Sequence, residues 1–274
     1  MAKKLPSRAR AVVTGAGSGF GRAVSLELAN RGARLLCTDL DLALCEETVK
    51  MLRTRGVEAH ALKVDVGKSE DVEAMTKKAE ELFGGIDVLV NNAGIAVVGE
   101  FEKIPLDKWR LQVDVNLYGV IYGCHYGVPL LKKNGGFILN VASSAGIVSA
   151  PMMAPYNVTK AGVIALSETL HAELAPAKIG VTALCPTFFR TNIHTRAHSF
   201  GGGTGEKTDK LVTNAKWSAE EIAKCAIDGM LNGVLFVIPQ LDGKIIWRTK
   251  RALGGSFYRG QGQLAASGLL ERAK

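Results

Sequence analysis

The 274-residue chain predicts a doubly wound α/β fold. Short apolar runs of strand length alternate strictly with longer stretches whose apolar residues repeat every three to four positions. A glycine-rich turn, Gly15-Ala-Gly-Ser-Gly-Phe-Gly21, joins the first run to the first stretch. Seven strand-like runs occur in all. Strands that alternate with helices pair in parallel, with helices on both faces. Right-handed crossovers leave few topologies, and the commonest is a Rossmann-type seven-stranded parallel sheet.

The elements follow in order. Ala11-Val-Val-Thr14 reads as a buried strand, and Phe20, Val24 and Leu28 mark one face of the helix after it. A second strand over 34–38 precedes a helix over 42–55, ended by Gly56. The third strand is 59–64. Ser69-Glu-Asp then looks like an N-cap with acid in the first turn of a helix. Val72, Met75, Ala79, Leu82 and Phe83 form that helix's buried face, and Gly84-Gly85 stops it. Strand four is 86–90. A long helical region over 106–133 breaks at Gly135-Gly136, before strand five at 137–141. A second long helix covers 156–178, and strand six is 181–185. Ser218-x-x-Glu221 is a capping box that opens another helix, and 235–238 is strand seven. Residues 187–217 have no clear period and include Gly201-Gly-Gly-Thr-Gly205, which suits an active-site lid.

Composition narrows the class. Hydrophobic residues make up 47% and charged residues 22%, as in ordinary globular domains. No apolar run approaches the ~20 residues of a membrane span. The first ten residues lack the apolar stretch of a signal peptide, so a cytoplasmic location is expected. Five scattered cysteines without C-x-x-C spacing argue against disulfides and against a zinc site, and no metal is expected. The net charge is +8, but residues 244–274 hold seven basic residues against the single acid Glu271, a net +6. The chain therefore divides into a dinucleotide-binding catalytic domain over 1–243 and a basic tail over 244–274.

The glycine turn sits between strand and helix, where backbone N–H groups and the helix dipole can hold a pyrophosphate. Asp39 closes the second strand, 18 residues past Gly21. An acid there accepts both ribose hydroxyls of an adenosine half and repels a 2′-phosphate. Neither Leu40 nor Ser18 supplies an offsetting cation. NAD is therefore expected, with NADP the less favoured cofactor.

Tyr156-Asn-Val-Thr-Lys160 opens the second long helix, and i, i+4 spacing puts both side chains on one face. Free tyrosine has a pKa of about 10, too high for a base near neutrality. One ammonium at 4 Å contributes about 4 kcal/mol at an effective dielectric near 20. With a cationic nicotinamide nearby, a fall of roughly 2–3 pKa units is expected, which would make Tyr156 a useful acid/base.

These features together resemble the short-chain dehydrogenase/reductase family, across residues 9–238. The matching motifs are Thr14-Gly-x-x-x-Gly-x-Gly21, Asp65-Val66 after strand three, and Asn91-Asn-Ala-Gly94 at the end of strand four. Asn116 in Asp-Val-Asn-Leu-Tyr-Gly, Ser143 thirteen residues before Tyr156, and Pro186 with Thr191 complete them. The resemblance implies catalytic roles for Asn116, Ser143, Tyr156 and Lys160. Tyr156 would move the substrate hydroxyl proton, and Lys160 would tune it and hold the nicotinamide ribose. Ser143 would bind the substrate oxygen. Asn116 would hold a water between Lys160 and solvent. Gly15, Ser18, Gly19, Phe20, Gly21, Asp39, Asp65, Val66, Asn91, Ala93, Gly94, Tyr156, Lys160, Pro186 and Thr191 would contact cofactor. Ser144 is a rival for the serine role. Ser143 is preferred because the family serine stands three residues before a glycine, here Gly146.

The expected activity is NAD-dependent interconversion of a secondary alcohol and a ketone. The alternatives are an NADPH-dependent 3-oxoacyl or other carbonyl reductase, and a nucleotide-binding regulatory protein without catalysis. Enoyl reduction is disfavoured, because such relatives space tyrosine and lysine more widely. Thr187 departs from the family's usual Pro-Gly and bears on the substrate pocket. Met152, Met153, Phe188 and Phe189 read equally as pocket lining or as packing. His125, His171, His194 and His198 lack metal-like partners and read as surface or loop residues, although His194 falls in the lid. By resemblance the two long helices pair subunits in a homodimer or homotetramer. The tail suits either peripheral contact with an anionic membrane or a helix packed on the body. No basic face for nucleic acid is readable in the domain.

Overall fold

The computed structural model describes residues 4–191, 198–200 and 211–266, the last six by backbone alone. Its main strands are β1 (Arg10–Thr14), β2 (Arg34–Asp39), β3 (Ala59–Lys63), β4 (Val88–Asn91), β6 (Gly136–Val141), β7 (Ile179–Leu184) and β9 (Phe236–Val237). They form one seven-stranded parallel sheet in the order β3-β2-β1-β4-β6-β7-β9. Val12 and Val13 show why these strands are apolar throughout. Alternate side chains point to opposite faces, and here both faces are covered. Val13, Leu35 and Val88 meet α1 (Gly19–Asn30), α2 (Leu42–Arg53) and α8 (Ala219–Leu231) in one core. Val12, Leu36 and Leu89 meet α3 (Ser69–Phe83), α5 (Gly119–Leu131) and α7 (Ala154–Glu173) in the other. Each buried leucine contributes roughly 1.5–3 kcal/mol.

Arg10 and Asp87 join β1 to the entry of β4. The Asp87 carboxylate accepts from the Arg10 backbone N–H at 2.8 Å and from its guanidinium at 2.8 and 2.6 Å. Burial alone would raise the Asp87 carboxyl. The guanidinium and the backbone N–H outweigh it and hold the group below its usual range.

Several elements differ from the sequence expectation. The 106–133 helix is α4 (Leu106–Val113), a π-turn over Asp114–Tyr118, and then α5. The helix expected over 156–178 begins earlier, with Pro155 in its first turn, and ends at Glu173 because Pro176 cannot continue it. Ser69 is not an N-cap. Lys68 holds that place, and the Ser69 hydroxyl bonds Tyr126 instead at 2.8 Å. Strand seven shortens to β9. The capping box at Ser218 and Glu221 forms with both of its hydrogen bonds.

Three short elements have no readable period: β5 (Val97–Gly99), α6 (Ser144–Val148) and β8 (His198–Phe200). β5 and β8 pair in parallel as a separate two-stranded sheet, so part of the expected lid is strand. The basic tail begins inside α9 (Leu241–Leu253), which runs unbroken across 243–244 and is followed by α10 (Gly255–Ala266). Among the described residues, no helix is long and apolar enough to cross a membrane.

Candidate active site

The chain winds outward from β1 through β2 to β3, then resumes at β4 on the other side of β1. Such a reversal opens a crevice at the carboxyl ends of the strands. A cleft of about 830 Å³ lies there. At one end is the glycine turn. A Cβ on Gly21 would stand 2.0 Å from the Gly15 carbonyl oxygen, so helix and turn approach as only glycine permits. Gly15, Ser18, Gly19, Phe20 and Gly21 all line the cleft. Ser18 is the N-cap residue of α1, yet its side chain makes no cap bond. This cradle has the space and the N–H donors that a dinucleotide pyrophosphate needs.

Asp39, at the end of β2, accepts from Gly17 N–H at 2.9 Å and from Asp41 N–H at 3.1 Å, and it is 4% exposed. Leu40 beside it is exposed and lines the cleft. Arg22 reaches the same turn, but its guanidinium is held by Thr48 at 2.9 Å, Glu47 at 3.0 Å and the Gly17 carbonyl. Asp65 and Val66 also line the cleft.

The residues of the Asn-Asn-Ala-Gly segment point different ways. The motif predicts Asn91 against cofactor, but its side chain does not line the cleft. It lies in the core, where its amide donates to Asn140 at 2.9 Å, and Asn140 donates to Ser167 at 3.0 Å. Asn92 lines the cleft instead. Its amide donates to the carbonyls of Thr14 and Gly15 at 2.8 and 3.1 Å. The Asn92 and Ala93 N–H groups donate to the Thr14 hydroxyl at 2.9 and 3.0 Å. The physical reason is strand register: Asn91 is the last residue of β4, and Asn92 is the first beyond it. Ala93 and Gly94 line the cleft.

Tyr156, Lys160 and Ser143 converge on the cleft between β6 and α7. The Lys160 ammonium lies 5.6 Å from the Tyr156 ring centre and donates to the Val141 carbonyl at 2.7 Å. Burial pulls Lys160 down to about 8. Tyr156 keeps partial exposure through the cleft, yet the protein around it pushes its phenol up to about 12, against a hydrogen bond with the Ser143 side chain. The expected fall in the tyrosine pKa includes the charge of a nicotinamide; among the protein's own groups, burial of the phenol is the largest influence and acts upward. The same low-polarity setting that would strengthen a charge pair disfavours both charged forms.

Ser143 caps α6, accepting from Ala145 N–H at 3.1 Å, and its side chain works against the rise of the Tyr156 phenol. Ser144 also lines the cleft, and its N–H donates to the Pro186 carbonyl. Asn116 sits in the π-turn, fully buried and outside the cleft lining. Its amide oxygen accepts from Ile95 N–H at 2.8 Å, and its amide nitrogen donates to the Ile95 carbonyl at 2.9 Å. It thus fastens the chain that follows Gly94.

The far end is apolar. Val98, Val148, Met153, Phe188, Val212 and Ile246 line it, and none except Met153 and Phe188 carries a signal in the sequence. Met152 does not line the cleft; its carbonyl accepts from Gly99 N–H at 2.7 Å. Phe189 lines the cleft and meets Phe20 edge to face at 5.6 Å. Pro186 and Thr191 line it too, and so does His198, which reads from sequence as an ordinary loop residue. His194 lies outside the described residues. Thr187 is tied to the tail helix: its hydroxyl donates to Asp242 at 3.2 Å and its N–H to Gln240 at 3.1 Å. Among the described residues, no cluster of metal-ligating side chains occurs.

Known proteins resemble this chain in sequence and fold. Residues 9–200 match the family described as short chain dehydrogenase. The probable oxidoreductase EphD of Mycobacterium tuberculosis is 33% identical over 228 residues, which cover 80% of this chain but 38% of EphD. The chain thus corresponds to well under half the length of that relative. Cyclohexanol dehydrogenase of an Acinetobacter species is 34% identical over 183 residues, 66% of this chain and 73% of that enzyme. The crystal structure of a short chain dehydrogenase/reductase from Burkholderia phymatum in complex with NAD superposes with a TM-score of 0.86. It is 29% identical and covers 90% of this chain and 94% of that one.

Proposed function

The chain belongs to the short-chain dehydrogenase/reductase family of NAD(P)-dependent oxidoreductases, and from that premise we propose that it uses NAD to interconvert a secondary alcohol and a ketone. The observation that carries this reading is the convergence of Tyr156, Ser143 and Lys160 on a cleft whose opposite end is the glycine cradle closed by Asp39. Bound there, the dinucleotide supplies a hydride acceptor or donor.

The chain's own groups do the rest. Ser143 and Tyr156 share the substrate oxygen, and Tyr156 takes or gives its proton. Lys160 is aimed from below by the Val141 carbonyl and holds the nicotinamide ribose. The amide of Asn116 is engaged by Ile95, so its main-chain carbonyl in the π-turn would hold the water behind Lys160. The surrounding protein pushes the Tyr156 phenol up to about 12, and the positive charge of an oxidised nicotinamide would favour its ionised form as a base. Asp39 accepts the adenosine ribose hydroxyls, and the apolar Leu40 offers a 2′-phosphate nothing. The apolar far end suits a substrate with a hydrocarbon body. Val158 on α7 and Tyr118 at the head of α5 are exposed, and we assign that side of the sheet to pairing between copies.

Fluorescence titration with NADH and NADPH tests the cofactor, and a panel of secondary alcohols then tests the chemistry. Preference for NADH supports Asp39, whereas preference for NADPH shifts the reading to a biosynthetic ketone reductase. Tyr156→Phe should bind NADH as the parent does and lose at least about a thousandfold in kcat. Undiminished turnover in that variant would remove Tyr156 from the chemistry.

A further inference from the structure

The tail helix α9 has two unlike faces. Its inner side is fixed to the body. Trp247 meets Phe236 at 6.0 Å, Lys250 donates to the Ile147 carbonyl, and Asp242 and Ile246 line the cleft. Gly243 is the one buried residue of the helix, and a Cβ there would stand 3.0 Å from the Thr187 methyl group.

The outer side is open. At 3.6 residues per turn, Leu241, Ile245 and Ala252 fall within about 40° of one another. Leu241 is 71% exposed and Ile245 54%. Lys244, Arg248 and Arg251 flank this stripe along one edge, all exposed. On its other edge the stripe adjoins Asp242, at the cleft.

We propose that this outer face seats the protein on an anionic lipid bilayer, with the mouth of the cleft held at the membrane–water interface. Exposed apolar residues beside basic ones are what an interfacial helix presents. Lys244, Arg248 and Arg251 give the charge complementarity for acidic headgroups. A second copy of the chain would bring the same positive charges into contact with these. A nucleic acid would answer the charge but not Leu241 and Ile245, because phosphate contacts reward no apolar side chain.

Only the placement of substrate rests on the function proposed above. In that setting the substrate class is an alcohol or ketone on a lipid-soluble body, reaching Ile246 and Phe188 from the bilayer.

Flotation with phosphatidylcholine vesicles, with and without phosphatidylglycerol, tests the docking surface without turnover. The full chain should float only with the acidic vesicles, and less as salt rises. Lys244→Glu with Arg248→Glu should weaken partitioning at least about thirtyfold. Ile245→Ser should weaken it with no change of charge. Both variants should titrate with NADH as the parent does, and a loss there would concern the cofactor site instead. The proposal fails if the parent does not float, or if the charge-reversed protein floats equally well. It also fails if the charge reversal changes only the sedimentation coefficient, or if duplex DNA binds in place of vesicles and Ile245→Ser has no effect.

Discussion

Lys160 is a buried ammonium whose main-chain acceptor, Val141, cannot neutralise it. Its drop from 10.5 to about 8 means that folding is resisted by the charged form. Between the folded value near 8 and the unfolded value of 10.5, the unfolded chain binds more protons, so stability rises with pH through that window. Below pH 8 the cost is present in full, at about 3 kcal/mol. Lys160→Met should therefore unfold at a higher temperature than the parent at pH 7, by several degrees. The gain should fade between pH 8 and 10.5, and the variant should have lost turnover. Calorimetry across pH checks this, and a melting point that falls in the variant would refute it. A site residue that lowers stability fits the general trade between stability and function.

At the scale of elements, the β5–β8 pair decides how the far end of the cleft is roofed. Gly99 ends β5 with φ +152°, a conformation suited to glycine, and a Cβ there would meet the Phe200 carbonyl oxygen at 2.2 Å. The pair also carries His198 to the cleft wall. Gly99→Ala should prise β8 from β5 at a local cost of roughly 1–3 kcal/mol. The expected result is a KM for substrate raised by about tenfold, with NADH affinity unchanged, since the cradle lies at the other end. Equal losses in both would mean that the pair supports the whole cleft. The Thr187 hydroxyl's bond to Asp242 gives a threonine a use after Pro186: it links the strand end to α9.

At the scale of the molecule, the sheet's two cores are supplemented at its amino edge by the Arg10–Asp87 pair, whose side chains are 15% and 12% exposed. Asp87→Ala leaves a largely buried guanidinium without its carboxylate, at about 2–3 kcal/mol, somewhat less than for a pair wholly out of water. Urea unfolding should show the loss at pH 7. The Asp87 carboxyl is held below its usual 3.8, so its contribution is present above that value and disappears as pH falls through the folded-state value. Parent and variant should therefore converge in strong acid. A constant gap at every pH would mean that the pair contributes packing alone.

Periodicity made the sheet legible, because the central strands are apolar on both faces and the helices packed on them on one. Motif spacing singled out Tyr156, Lys160, Ser143 and Asp39, since a turn, a strand end and an i, i+4 helix pair are local geometries that sequence can encode. Three short elements were illegible: β5, α6 and β8 carry no apolar pattern of their own, and they exist through contacts with distant chain. The same holds for the side-chain direction of Asn91, for the engagement of Asn116 by Ile95, and for Val98, Val212 and Ile246 in the cleft. Local patterning was enough for the sheet, the glycine turn and the polar groups at the cleft. The charge states of those groups, and which tail residues face cleft or solvent, follow from packing alone. Both depend on the dielectric and neighbours that segments far apart in sequence supply.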